Sequence, residues 1–251
     1  MNACVNLPRL GVLGGMGPLA TVDFMHKLIR ATPGNSDQEH MPVVVYSVPQ
    51  IPDRSQAFLR GSDEPWPYLV EGLRTLEQSG ARAIAIPCNT AHAWHARLAS
   101  TTNATVLHIG RAACDQIAAT CSPGCRVGIL ATSATLAARI YHGDLEAHGA
   151  KVVEPDDAVQ QQSVMAGIRA VKAGHVELGA EHLLDAVRHL QAHAVDVLLL
   201  ACTEIPVALA GIPLGLPAID PTDALAHACV TWWQHARLLS FAASSALSTD
   251  E

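Results

Sequence analysis

Two cysteines stand in matching contexts. Cys88 lies in Ile84-Ala85-Ile86-Pro87-Cys88-Asn89-Thr90, and Cys202 lies in Leu198-Leu199-Leu200-Ala201-Cys202-Thr203-Glu204. Each closes an apolar run and precedes small polar residues, the pattern of a buried strand delivering its last residue to a loop. A lone buried cysteine is more often a packing residue than a reactive one. Two at equivalent strand ends, 114 positions apart in a chain of 251, point instead to two thiols working on one ligand. Each is expected at the start of a helix, where the N-terminus lowers a thiol pKa from its free value of about 8.5. Asn89 and Thr90 would cap the first of these helices and turn backbone N–H groups toward a carboxylate. No nucleophilic triad surrounds either thiol. His92 and Glu204 are the neighbours able to tune them or touch a ligand, although His92 also reads as a satisfied helical histidine.

A second motif, Gly14-Gly15-Met16-Gly17-Pro18, follows a strand and opens a helix. Glycines there let the backbone approach a small anionic ligand. The run is not G-x-G-x-x-G, since position 20 is Ala, and no Gly-Lys-Ser/Thr follows, so dinucleotide and ATP binding are disfavoured. Lysine is scarce: Lys27, Lys151 and Lys172 are the whole set. Arg54 falls just past a strand in Pro52-Asp53-Arg54, where a guanidinium fork suits a carboxylate. Lys172, late in a helix of the second half, reads by itself as a surface charge.

Composition narrows the classes. Hydrophobic residues are 49% and charged residues 16%, enough apolar material for a core. The net charge is −7 with only 16 Lys plus Arg, which argues against nucleic acid. No apolar run reaches the roughly 18 residues of a membrane span, and the opening residues lack a secretory pattern. Seven cysteines do not form a disulfide framework, so reduced thiols are the simpler reading. Cys121 and Cys125 make one C-x3-C pair, which without a second pair reads as a loop with two idle thiols rather than a zinc site. Cys4, Cys114 and Cys229 read as packing or terminal residues.

The elements that must position these residues repeat. Arg9-Leu10-Gly11-Val12-Leu13-Gly14 matches Arg126-Val127-Gly128-Ile129-Leu130-Ala131 at an offset of 117, Pro18-Leu19-Ala20 matches Thr135-Leu136-Ala137, and Phe24 matches Tyr141. Leu69, Leu73 and Leu76 precede Cys88 by the same distances as Leu183, Val187 and Leu190 precede Cys202. Spacings of four and three give each set one helical face to lay on a sheet. Strands are expected at Leu10–Leu13, Val43–Val48, Ala83–Ile86, Val106–Ile109, Val127–Leu130, Lys151–Val153, Val197–Leu200 and Ala218–Ile219. Their Val/Ile/Leu runs, alternating with helical patterns, predict two pseudosymmetric doubly wound α/β domains, each a parallel sheet flanked by helices. The ligand site of such sheets lies at the carboxyl ends of the strands. The expected domains are 1–120 plus 222–251, carrying Cys88, and 121–221, carrying Cys202. A last helix, about Thr222 to Ala243, would fold back onto the first half, and Ser244–Glu251 would fray.

The Gly14-Gly15-Met16-Gly17-Pro18-Leu19-Ala20-Thr21 run, Pro87-Cys88-Asn89-Thr90-Ala91-His92 and Cys202-Thr203-Glu204, in this order, resemble the aspartate/glutamate racemase superfamily from about Arg9 to about Trp233. The glycine run is similar to that of its aspartate racemase branch. Glutamate racemases have Cys-Thr-His in the second motif, where this chain has Glu204. The resemblance implies a cofactor-independent two-base racemase with the active site between the two domains: one thiolate removes the α-proton and the other thiol reprotonates the opposite face. It implies carboxylate-binding roles for Arg54 and Lys172, and substrate contacts from Met16, Gly17, Asn89, Thr90, Thr132, Thr203 and Glu204. It further implies a small acidic amino acid as substrate, aspartate first, with no cofactor, no metal, no nucleic-acid or membrane partner, a cytoplasmic location and a homodimer. The alternatives are a glutamate or broad-specificity amino-acid racemase, a malonate-type decarboxylase, a maleate isomerase or hydantoin racemase, and a non-enzymatic binder of an acidic metabolite. A decarboxylase needs only one thiol to deliver a proton, so the retained pair favours racemisation.

Overall fold

The structure, a computed structural model, describes residues 7–247, with side chains as far as Ser240. Cys4 and the end of the polar tail lie outside the described residues. The first half runs β1 (Arg9–Gly14), α1 (Pro18–Ala31), β2 (Val43–Ser47), α2 (Arg54–Leu59), α3 (Trp66–Gln78), β3 (Ala81–Ala85), α4 (His95–Ala99), β4 (Thr105–Val106) and α5 (Ile109–Thr120). The second runs β5 (Arg126–Ala131), α6 (Ser133–Ala137), α7 (His142–Ala147), β6 (Lys151–Val153), α8 (Asp157–Val159), α9 (Met165–Lys172), α10 (Val176–Ala192), β7 (Val197–Ala201), α11 (Glu204–Ala208), β8 (Ala218–Ile219) and α12 (Pro221–Leu247).

The strands form two four-stranded sheets, ordered β2-β1-β3-β4 and β6-β5-β7-β8. Every pairing is parallel. The second order is the first with four added to each number, so the repeat in sequence is a repeat in topology. All eight expected strands are present. The fourth is shorter and earlier than expected, because Ile109 opens α5 with His108 accepting from the Arg111 N–H as its cap. The leucine stripes of α3 and α10 are buried in the two sheets' cores. Phe24 and Tyr141, matched in the repeat, are both fully buried, but the helix corresponding to α1 is broken into α6 and α7 around Arg139, whose φ is 51°.

The closing helix of each half covers the other half's sheet. Ala113, Cys114 and Ile117 of α5 pack with Val127, Ile129 and Leu199 of the second sheet. Leu225, Cys229, Val230 and Trp233 of α12 pack with Leu10, Val12 and Phe24 of the first. No described helix is long and apolar enough to cross a membrane.

Candidate active site

Both cysteines come to the carboxyl ends of the central part of their sheets. Cys88 follows β3 after Ile86 and Pro87, and Cys202 follows β7 directly. Both are buried and free. They line one gap of about 20 Å³ between the halves, together with Met16, Asp53, Arg54, Ser55, Asn89, Thr90, Thr132, Lys172, Thr203 and Glu204. A cavity this size has room for about one water molecule. Gly17 lines the adjoining cavity of about 400 Å³, which shares Asp53, Arg54, Lys172, Thr203 and Glu204 with the gap. Every residue expected at the site from the sequence is therefore in one place.

The glycine run reaches the gap through a turn only glycine makes easily. Gly15 has φ 93°, and a Cβ there would stand 2.4 Å from backbone atoms of Val48, while a Cβ on Gly14 would stand 2.4 Å from Thr21. The Gly15 N–H donates to Thr21 Oγ1 at 2.8 Å, tying the turn to α1.

The helix expected after Cys88 is a five-residue 3-10 turn, Thr90–Trp94, and the one after Cys202 is the five-residue α11. Neither is long enough for a substantial macrodipole. Asn89 makes no side-chain capping bond. The expected lowering of the thiol pKa is reversed at Cys202: burial first, and the Glu204 carboxylate second, push it well above the ordinary value, Lys172 opposing. The Cys202 thiol donates to Glu204 Oε2 at 2.9 Å, and the Thr203 hydroxyl donates to the same oxygen at 3.0 Å. Cys202 is therefore a proton-bearing thiol held by a carboxylate, an acid in its resting state.

Asn89 and Thr90 have other partners than a helix. The buried Tyr141 hydroxyl, from the second half, donates to Asn89 Oδ1. That bond orients the amide and leaves Asn89 Nδ2 as a buried donor with no partner among the described residues. A buried unsatisfied N–H costs about 1–3 kcal/mol, so it favours a ligand that brings an acceptor. Thr90 Oγ1 lies 3.1 Å from Thr132 Oγ1 and 2.9 Å from Thr135 Oγ1, and Thr132 and Thr135 are 3.0 Å apart. Ser55 Oγ is within 3.5 Å of Thr90 and Thr132. This hydroxyl cluster joins the halves beside the thiols, with Thr132 also capping α6 through the Thr135 N–H.

The cations sit at the outer side. Arg54 is half-buried at the start of α2, its Nη1 donating to the carbonyls of Ile51 and Pro52 at 2.9 and 3.0 Å, with Nε buried and without a partner among the described residues. Asp53 caps the same helix by accepting from the Gln56 N–H. Lys172, at the end of α9, is exposed at the cavity mouth. Its pKa is raised: burial of part of the chain lowers it, but Glu204, Cys202, Asp53 and Cys88 together outweigh that. Both cations thus line the cavity instead of standing on an unrelated surface.

His92 takes the structural option. One ring nitrogen, Nδ1, bonds the Cys88 carbonyl at 2.9 Å, so it carries the proton, while Nε2 accepts from the Ile109 N–H at 3.1 Å. It stacks on His95 and meets His108 edge-on, behind the site. Cys121 and Cys125 lie far along the chain from these groups, in the connection from α5 to β5. Tyr141, Ser55, Thr135 and Asp53 join the site without having been singled out from sequence. Tyr141 had a signal, being the repeat partner of Phe24 with a hydroxyl added.

Residues 13–229 match the family described as Asp/Glu/Hydantoin racemase. The chain is 28% identical over 228 residues to the broad specificity amino-acid racemase RacX of Bacillus subtilis (strain 168), covering 88% of this chain and 96% of the relative. Its fold matches the Picrophilus torridus aspartate racemase with a TM-score of 0.78 at 32% identity, covering 90% of this chain and 94% of the other. An aspartate racemase homologue from Pyrococcus horikoshii OT3 shares the fold with a TM-score of 0.72 at 20% identity, covering 91% of this chain and 100% of the other.

Proposed function

The chain belongs to the Asp/Glu/Hydantoin racemase family, and from that premise we propose that it is a cofactor-independent amino-acid racemase acting through Cys88 and Cys202, with aspartate among its substrates. One observation carries the reading: the two thiols, one from each half of a repeated fold, line the same narrow gap. Inverting an α-carbon without a cofactor needs a base on one face and an acid on the other, held within reach of one carbon.

In one direction Cys88, as thiolate, takes the α-proton and becomes a thiol. Cys202 gives its proton to the opposite face and becomes a thiolate. The reverse direction exchanges the roles. Glu204 is a positioning residue: its bond to the Cys202 sulfur keeps the proton on Cys202 until the carbanion draws it away. The α-carboxylate would accept from Asn89 Nδ2 and from the hydroxyls of Thr90 and Thr132, which offset the negative charge that spreads onto it in the transition state. Arg54 and Lys172 would bind a side-chain carboxylate with charge-assisted hydrogen bonds. The same reading divides the chain into domains 1–120 plus 222–251 and 121–221, in a cytoplasmic homodimer.

Incubating purified protein with L- or D-aspartate in D2O tests this. Formation of the other enantiomer, with deuterium at the α-carbon, is the expected result, and it should survive dialysis against EDTA. Release of CO2 without racemisation would replace the reading with decarboxylation. Binding of acidic metabolites without exchange would make the protein a binder.

A further inference from the structure

Tyr141 is buried in the second half, and its hydroxyl donates across to Asn89 Oδ1 in the first. The break between α6 and α7 sets its place: Arg139 has φ 51°, and Tyr141 stands at the entry to α7. Its ring packs with Ala113 and Cys114 of α5, and its carbonyl accepts from the Cys114 thiol at 3.7 Å. The repeat isolates the hydroxyl as an addition. Tyr141 matches Phe24, which has the ring alone, and Asn89 matches Thr203 in the two cysteine motifs. Thr203 donates to Glu204 Oε2 at 3.0 Å. Asn89 differs in having two unlike ends, one an acceptor and one a donor. Turned over, the amide would present oxygen where it now presents N–H. It makes no capping bond, and Tyr141 is its one side-chain partner among the described residues. With Oδ1 engaged by that hydroxyl, Nδ2 is the end left free at the gap that Asn89 lines.

We propose that Tyr141 is a positioning residue for racemisation: its hydroxyl locks the Asn89 amide with Nδ2 toward the substrate's α-carboxylate, so the second half aims a donor that the first half carries. The proposal rests on the racemase reading above. As the α-proton leaves, negative charge spreads onto the α-carboxylate, and its bond to Nδ2 strengthens toward the transition state. Losing the lock should therefore be felt more in kcat than in KM.

The test compares Tyr141→Phe, Asn89→Ala, Asn89→Asp and the double variant Tyr141→Phe/Asn89→Ala. Chiral chromatography follows aspartate, or whichever amino acid the wild-type protein racemises fastest, and circular dichroism checks folding. Tyr141→Phe keeps the ring and removes the hydroxyl, so kcat should fall about tenfold or more while KM changes by less than about threefold. In the Asn89→Ala background the same change should alter kcat/KM by less than about twofold, because no amide is left to orient. Asn89→Asp keeps the acceptor for Tyr141 and puts an oxygen in place of Nδ2, so its activity should fall at least as far as that of Asn89→Ala. Wild-type kcat in Tyr141→Phe would overturn the proposal and leave the racemase reading intact. So would an equal loss in both backgrounds, the mark of a residue that only packs. If Tyr141→Phe does not fold, the Asn89 variants decide: activity of Asn89→Asp above that of Asn89→Ala would overturn the proposal. Failure of the wild-type protein to exchange the α-proton of any amino acid in D2O would remove the racemase reading and the proposal together.

Discussion

The Cys202 thiol and the Glu204 carboxylate form a pair whose protonation can be read in solution. Glu204 is the second cause, after burial, of the high Cys202 pKa. Glu204→Gln removes that charge while keeping a hydrogen-bonding group, so the Cys202 pKa should fall. The alkaline limb of the pH–rate profile should then move to lower pH, and a profile that does not move would leave Glu204 with no role at the sulfur. The cations give a second residue-scale prediction. A hydrogen bond to a charged group contributes about 1.5–3 kcal/mol, so Arg54→Ala and Lys172→Ala should each lower kcat/KM for aspartate about tenfold to hundredfold. Alanine should suffer less, and steady-state kinetics on the two substrates decide it. Equal losses would place these cations on the α-carboxylate or indicate general damage. At this scale the thiols and Arg54 were legible because their residue types are chemically unusual just past strand ends, whereas Lys172, at the end of α9, was expected at the site only through the family resemblance. The thiol environment was not legible, because a short sequence motif does not distinguish a 3-10 turn or a five-residue helix from a longer one, and does not show that Glu204 turns back onto Cys202.

The 3-10 turn after Cys88 carries His92, whose ring packs against those of His95 and His108. His92 is fully buried between the Cys88 carbonyl and the Ile109 N–H, and burial, with His108 beside it, lowers its pKa to about 3. His108 is lowered to about 4 by burial and by His95 and Arg111, and His95 is lowered chiefly by burial. Each is neutral when folded and protonates near 6.5 when unfolded. The unfolded chain therefore binds more protons below about pH 6.5. Stability present above that pH is lost as pH falls toward the folded values of about 4 and about 3. For His92 alone the slope is about 1.4 kcal/mol per pH unit within that window. Denaturant titrations from pH 7 to pH 4.5 should show stability falling, and His92→Gln should make the fall shallower whatever it does to stability at pH 7. An equal slope in the variant would mean that His92 titrates normally. From sequence, His92 was open to a ligand-facing role, with a satisfied helical histidine the favoured reading. The choice turns on Ile109, which was expected in a strand and instead opens α5 with its N–H aimed at the ring.

Across the whole molecule, the repeat in sequence became a repeat in strand order, legible because matched apolar runs and leucine stripes recur at fixed distances. The return of α12 to the first sheet was expected from the sequence, but the placement of α5 on the second was not: α5 is amphipathic in sequence, and nothing in that pattern says which sheet receives its apolar face. With α5 on the second sheet and α12 on the first, neither half completes its core without the other. Unfolding by urea should therefore be one cooperative transition, with far-ultraviolet circular dichroism and tryptophan fluorescence coincident. Trp233→Ala, which empties a site packed on Leu10 and Phe24, should cost about 3–5 kcal/mol and lower the midpoint of that single transition. Two separated transitions would show that the halves fold independently. What the fold accomplishes is to bring Cys88 and Cys202 from distant parts of the chain to one gap, and the most direct measurement of the proposed two-thiol chemistry is isotope exchange in the single thiol variants. Cys88→Ser and Cys202→Ser, each checked by circular dichroism for native structure, should lose racemisation of the preferred substrate by about 10²–10⁴-fold. In D2O, each should retain at most α-proton exchange of one enantiomer without inversion. Racemisation near the wild-type rate by either folded variant would contradict the two-thiol account.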